Sequence, residues 1–291
     1  MKRKLTLIII SALLFLSGCT PSSSTDDAEL TIACTTYPVY LLTQAVTEQV
    51  PSTDAVLVVN QQVSCLHNYT LTMEDMKIID QANLLVINGA GLETFLDDVL
   101  DGRTYLDAST GLDLRWNEEE GEYDPHIWMD PTLAGQMALN IATGLSSVDV
   151  KHASQYQANA AQIISELSQF QKAMKDQLTS LPIRKLITFH DGFLYFANAF
   201  DLDIVASVEE EAGAEASARR IKELSALINQ YHLPSVFIEK NGSTSAANAL
   251  SQECGVAVCT LDMGMNGTGN SLADYEALIQ NNINTIREAY K

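Results

Sequence analysis

HASQYQANAAQIISELSQFQKAMKDQL, residues His152–Leu178, is the stretch whose reading decides the fold. Tyr156, Ala160, Ile163, Leu167, Phe170, Met174 and Leu178 recur at spacings of three and four, with no Gly or Pro between them. That is the period of one face of an α-helix. An unbroken helix of this length runs about 40 Å, roughly one domain diameter, and Pro182 ends it. The stripe is too short and too mixed for a coiled coil, so the helix is expected to bridge two lobes.

The segments on either side support that expectation. Before the helix, Leu30–Cys34, Ala55–Val59, Leu84–Ile87 and Thr104–Leu106 read as strands. Pro38 opens a helix between the first two, and Thr72 with Asp75 three residues on reads as the capped start of another. After it, Lys185–Phe189, Asp203–Val205, Ser235–Ile238 and Val256–Thr260 read as strands. Helical patterns over Asp191–Ala199, Ser217–Gln230, Thr244–Glu253 and Leu272–Tyr290 lie between and after them. Continuous apolar strands alternating with helices imply parallel sheets covered on both faces. The expected fold class is α/β: two lobes, each a parallel sheet flanked by helices, joined by one long rigid linker helix. The expected boundaries are an N-terminal lobe over 30–148, the linker over 149–181 and a C-terminal lobe over 182–291.

Lys2, Arg3 and Lys4 precede an apolar run from Leu5 to Phe15, and Leu16-Ser17-Gly18-Cys19 follows. This reads as an export signal over 1–18 ending at a lipobox, with Cys19 the acylated first residue of the mature chain. A polar tether over 19–29 would then hold the body at a membrane surface through its lipid. Removing the three basic residues takes the formal charge of −20 three further units negative, which argues against nucleic acid as a partner. The remaining chain, about 270 residues, is enough for two modest cores. Cys34, Cys65, Cys254 and Cys259 admit three disulfide pairings or free thiols, and none forms a C-x-x-C metal knuckle.

Of five histidines, three sit at predicted strand or turn ends. His67 follows the second strand, His126 lies in a Pro-flanked turn, and His190 ends the strand Leu186–Phe189. Asp262 follows the strand Val256–Thr260 in the same way. Ligand sites in open parallel sheets gather outside the carboxyl ends of strands. All four side chains are therefore placed to face one cleft, and three imidazoles with one carboxylate complete a tetrahedral zinc sphere. His152 at a helix start and His232 at a helix end beside Pro234 read as structural.

The same residues carry a resemblance. Thr35-Thr36-Tyr37-Pro38, His67-Asn68-Tyr69-Thr70-Leu71-Thr72, Ala82 to Glu93, and Asp124-Pro125-His126-Ile127-Trp128-Met129-Asp130-Pro131 occur in order. His190 to Ala197, Phe237-Ile238-Glu239-Lys240-Asn241 and Thr260-Leu261-Asp262 complete the series. The chain resembles the metal-binding lipoproteins of ABC transporters that import zinc or manganese, the cluster A-I solute-binding proteins, over nearly all of the mature sequence. The resemblance implies metal ligands at His67, His126, His190 and Asp262. It implies Zn2+ as cargo, because the third position is His190 where the manganese branch usually has Glu. Nitrogen-rich sites favour zinc over manganese. Glu239 is a candidate to hydrogen-bond a ligand histidine.

The resemblance also implies a non-enzymatic, monomeric, lipid-anchored extracytoplasmic protein. It would deliver metal to a membrane permease driven by a separate ATPase, and the chain has no P-loop of its own. Manganese delivery is the alternative within this class. A zinc hydrolase and a surface adhesion lipoprotein are alternatives from other classes, although H-E-x-x-H and G-x-S-x-G are both missing from the sequence. Where zinc members often carry a His-rich loop, this chain has Trp116-Asn117-Glu118-Glu119-Glu120-Gly121-Glu122, expected to be a solvated acidic loop. Glu209-Glu210-Glu211 is a second acidic loop, and Cys65 stands two residues before His67.

Overall fold

A computed structural model describes residues 30–61, 66, 69–117, 121–208 and 217–291. The expectations for the export signal, Cys19 and the tether lie outside the described residues, as do those for Cys65, His67, Glu118–Glu120 and Glu209–Glu211.

The first lobe runs β1 (Leu30–Cys34), α1 (Tyr37–Val46), β2 (Thr53–Leu57), α2 (Met73–Gln81), β3 (Leu84–Ile87), α3 (Asp97–Leu100) and β4 (Tyr105–Asp107). A two-stranded hairpin, β5 (Trp116–Asn117) and β6 (Glu122–Tyr123), then leads into a 3-10 turn over Ile127–Met129 and α4 (Pro131–Val148). The long helix is α5 (Ala153–Gln177), and the second lobe runs β7 (Lys185–Phe189), α6 (Leu194–Ala199), β8 (Asp203–Ser207), α7 (Ala218–Tyr231), β9 (Ser235–Glu239), α8 (Ser245–Cys254), β10 (Ala257–Leu261) and α9 (Leu272–Ala289). Each lobe holds a four-stranded parallel sheet, in the orders β2-β1-β3-β4 and β10-β9-β7-β8.

Local chemistry accounts for the helix starts. Thr36 caps α1, with Pro38 inside its first turn. Thr72 and Asp75 form the reciprocal capping box that opens α2, and Ser271 with Asp274 does the same for α9. Asp130 accepts from Thr132 N at 2.8 Å just before Pro131. The second strand begins two residues earlier than its apolar run, because Thr53 and Asp54 pair with Leu30 and Thr31 before the run begins. The β5–β6 hairpin has no apolar alternation to announce it. Cross-strand pairing of Trp116 with Tyr123 holds it, the rings 5.0 Å apart and edge to face.

The long helix does not cross open space. It packs along α4 as a helical hairpin and also touches α1 and α9. One apolar core therefore continues through both lobes, from Ile32 and Val86 by way of Met137, Ile141 and Leu167 to Tyr275, Ile279 and Ile283. A second core under the other face of the second sheet contains Ile187, Leu224, Val236 and Leu250. Trp128 is fully buried at the junction, where its Nε1 donates to Met263 O at 2.7 Å and its carbonyl accepts from Tyr275 Oη at 2.8 Å. Opening the lobes as rigid bodies would expose this shared core, so the architecture favours local loop movement over wide hinge closure. No helix among the described residues is long and apolar enough to cross a membrane. Cys34, Cys254 and Cys259 are free thiols, and burial pushes the Cys34 thiol up to about 12, which leaves it unreactive.

Candidate metal centre

His190 is the first residue after β7, and His126 is the last before the 3-10 turn that enters α4. The two come from different lobes and meet with their Nε2 atoms 3.3 Å apart. Their rings are almost perpendicular, 5.2 Å between centroids. Both residues are buried, at 3% and 6% exposure. Two imidazole nitrogens on one tetrahedral zinc, each about 2.05 Å from the ion, are separated by about 3.3 Å. The pair is therefore set at the span that the ion requires.

Close approach depends on Gly192. A Cβ there would lie 2.5 Å from Met263 Sδ and 2.9 Å from His126 Nε2, so any larger residue would wedge the loop after His190 away from His126.

His126 is oriented by the residue two positions before it. Asp124 Oδ1 accepts from the His126 backbone N–H at 3.0 Å and lies 2.8 Å from His126 Nδ1. An ionised carboxylate can only accept, so the ring proton sits on Nδ1 and the Nε2 lone pair faces His190. The arrangement is the carboxylate–histidine pair that raises the basicity of a metal-binding imidazole. Asp124 is 4% exposed, and its other oxygen, Oδ2, is buried with no hydrogen-bond partner among the described residues. Tyr195 closes the turn: its hydroxyl accepts from Arg115 N at 2.9 Å and donates to Asp124 O at 3.2 Å. Burial pushes the Tyr195 phenol up to about 12, which keeps it a neutral donor.

Behind the turn, Asn88 Nδ2 donates to Pro125 O at 2.9 Å. Asn88 is itself held by Glu93, a fully buried carboxyl that accepts from Thr35 Oγ1, Asn88 N and Gly89 N at 2.6, 2.7 and 3.0 Å. Burial raises the Glu93 pKa to about 7 against the pull of those three donors.

Among the described residues, His126, His190 and Asp191 are the group whose ligand atoms all lie within 4.8 Å of one another. Asp191 Oδ1 is 3.7 Å from His190 Nε2, and Asp191 Oδ2 accepts from Asn117 Nδ2 at 3.2 Å, tying the hairpin to the second lobe beside the site. Asp262, expected in this group, is not brought into it. Its Oδ2 accepts from Lys240 Nζ at 2.7 Å and its Oδ1 from Gly264 N at 2.8 Å. It nevertheless borders the site, since the side chain of the next residue, Met263, and the His126 ring both crowd Gly192. Glu239 is buried at the end of β9 and lines a small cavity with Asp262 and Met263. His152 pairs with Asp149 at 2.6 Å and His232 caps α7 in the left-handed region, both away from the cluster.

Sequence reading passed over Asp124 and Asp191, although each lies within two residues of a chosen histidine in the motifs themselves. An acidic residue two positions before or one after a candidate ligand was the available signal.

A family model described as zinc-uptake complex component A, periplasmic, matches residues 32–289. The chain belongs to this family. Among its curated relatives, the zinc-binding lipoprotein AdcA of Streptococcus pneumoniae is 27% identical over 279 residues, covering 89% of this chain and 55% of that protein. The manganese-binding lipoprotein MntA of Halalkalibacterium halodurans is 25% identical and covers 76% of each. The chain spans about half the length of the AdcA relatives it matches. Among solved structures, a mutant of the laminin-binding adhesin Lmb from Streptococcus agalactiae superimposes with a TM-score of 0.78 at 25% identity, over 90% of this chain and 100% of that one. The two-lobe architecture with its long helix is therefore that of the family.

Proposed function

We propose that the protein captures Zn2+ outside the cytoplasmic membrane and delivers it to an ABC-type metal importer, whose permease and ATPase are separate chains. The observation that carries this reading is the His126–His190 pair, buried, oriented by Asp124 and spaced for one tetrahedral ion. His67 supplies a third nitrogen in this proposal on the strength of its place in the sequence, and Asp262 a carboxylate oxygen at the edge of the cleft. Glu239 supports the ligand shell from the floor of the adjoining cavity. The zinc-binding AdcA relatives support the choice of metal. A closed set of protein donors favours holding an ion over activating a water on it, which supports binding and not catalysis.

The lobes in this proposal are residues 30–148 and 182–291, with 149–181 between them. An export signal over 1–18, lipidation at Cys19 and a tether over 19–29 would place the monomer on the outer face of the membrane. Manganese is the second reading, favoured by the manganese-binding relative and by the oxygen donors Asp191 and Asp262 near the site.

Competitive zinc-against-manganese titration of metal-stripped protein tests the proposal. Zinc should bind far more tightly, and His190→Ala should lose most zinc affinity with its circular dichroism unchanged. Unchanged zinc affinity in that variant would refute the site.

A further inference from the structure

The carboxylate proposed as the fourth donor already holds a cation. Asp262 is the first residue after β10, and Lys240 is the first after the neighbouring strand β9. The two strands are parallel, with Leu261 opposite Glu239, and Lys240 N donates to Leu261 O at 2.8 Å. The sheet therefore delivers an ammonium and a carboxylate to adjacent positions at its carboxyl edge, where they meet at 2.7 Å. The backbone of Asp262 has little freedom to change this. Its N–H donates to Asn282 Oδ1 at 2.8 Å and its C=O accepts from Asn282 Nδ2 at 2.7 Å, both on the buried face of α9. What remains adjustable is the Asp262 side chain, 30% exposed, and the Lys240 side chain, 46% exposed.

We propose that Lys240 is an affinity- and selectivity-setting residue, an internal cation that competes with the metal for Asp262. This rests on the reading of Asp262 as a ligand. The Lys240 ammonium neutralises the Asp262 carboxylate through Oδ2 and repels a second cation that approaches it, while Gly264 N–H already occupies Oδ1, so a divalent ion must compete for this side chain. Capture therefore exchanges the Lys240 contact for a metal–oxygen bond and sends the ammonium, already half in solvent, fully into water. Release runs the other way: the returning Lys240 takes the carboxylate off the ion. Competition of this kind weakens binding and speeds dissociation, as delivery to a permease requires. It also discriminates between metals. Zinc held by imidazoles loses little when one oxygen is contested, whereas manganese depends more on oxygen donors. The pair thus acts as a filter against manganese in a family whose relatives bind either metal.

The test is zinc and manganese affinity, by competitive titration on metal-stripped full-length protein, for Lys240→Met, Lys240→Gln, Asp262→Asn and the double variant Lys240→Met/Asp262→Asn. Both Lys240 variants should bind zinc about fivefold more tightly, the equivalent of a half-exposed ion pair, and should gain more for manganese. The gain should vanish in the Asp262→Asn background. Zinc affinity that is unchanged or weaker in both Lys240 variants overturns the proposal, as does a gain that persists without Asp262. His190→Ala run alongside separates the two claims. If it still binds zinc like the parent protein, the metal site itself is misassigned. If it loses zinc while the Lys240 variants stay neutral, only the competition is wrong.

Discussion

Replacing Asp124 divides the contribution of the carboxylate behind His126 into charge and orientation. In Asp124→Asn, the amide oxygen can keep both contacts of the present Oδ1, to His126 N at 3.0 Å and His126 Nδ1 at 2.8 Å. The new NH2 takes the place of Oδ2, which has no partner among the described residues. Ring position and tautomer are thus retained and only the negative charge is lost. Asp124→Ala removes both, and frees the imidazole to rotate or to carry its proton on Nε2, where it would face the metal. Loss of the group that orients a ligand histidine costs about 10- to 100-fold in metal affinity, or about 1.4 to 2.7 kcal/mol. The asparagine variant should fall near the lower end and the alanine variant at or beyond the upper. Zinc titration against a chromophoric chelator measures both, with thermal unfolding of the metal-free proteins as the control. Alanine also leaves a small buried void, so its loss of stability should be compared with its loss of affinity. The reasoning fails if both variants bind zinc within twofold of the parent, or if asparagine is as damaging as alanine.

His152→Ala should leave zinc affinity unchanged while lowering stability modestly, because its ring contacts Asp149 and not the cluster; zinc titration paired with urea unfolding separates the two effects. Glu93 should make stability depend on pH. Its folded-state pKa of about 7 lies above the ordinary 4.5, so the folded chain holds this proton more tightly than the unfolded one. The resulting stabilisation is complete below about pH 4.5 and is lost as pH rises towards about 7, by at most about 3 kcal/mol. Urea unfolding at several pH values should show this slope in the parent and a flatter one in Glu93→Gln; equal slopes would contradict the assignment.

The chain of contacts from Glu93 through Asn88 to Pro125 also explains why the Asp-Pro-His segment was recognisable while its support was not. The motif is contiguous, so its residues could be read directly. Glu93 and Asn88 act on it from more than thirty positions away, and nothing local in either marks that role. The β5–β6 hairpin was missed for a related reason. Its strands are two residues each and are held by one aromatic pair, without the alternation that betrays a longer strand.

What the sequence determined by itself was local and periodic. Apolar runs placed the eight sheet strands, Pro38 placed the start of α1, the Thr72–Asp75 cap placed the start of α2, and the three-four stripe placed α5. These follow from backbone geometry and solvent exclusion acting over a few residues. The sequence also put His126 and His190 at the ends of elements where ligands collect. Only the tertiary structure decided which carboxylates meet them. Side-chain direction at a strand end depends on the neighbouring strand, and β9 happens to present Lys240 where it captures Asp262. The turn after β7 meanwhile leaves Asp191 beside His190. Electrostatic pairing with a lysine on another strand made that choice for Asp262, whereas Asp124 and Asp191 reach the site as close sequence neighbours of the two histidines.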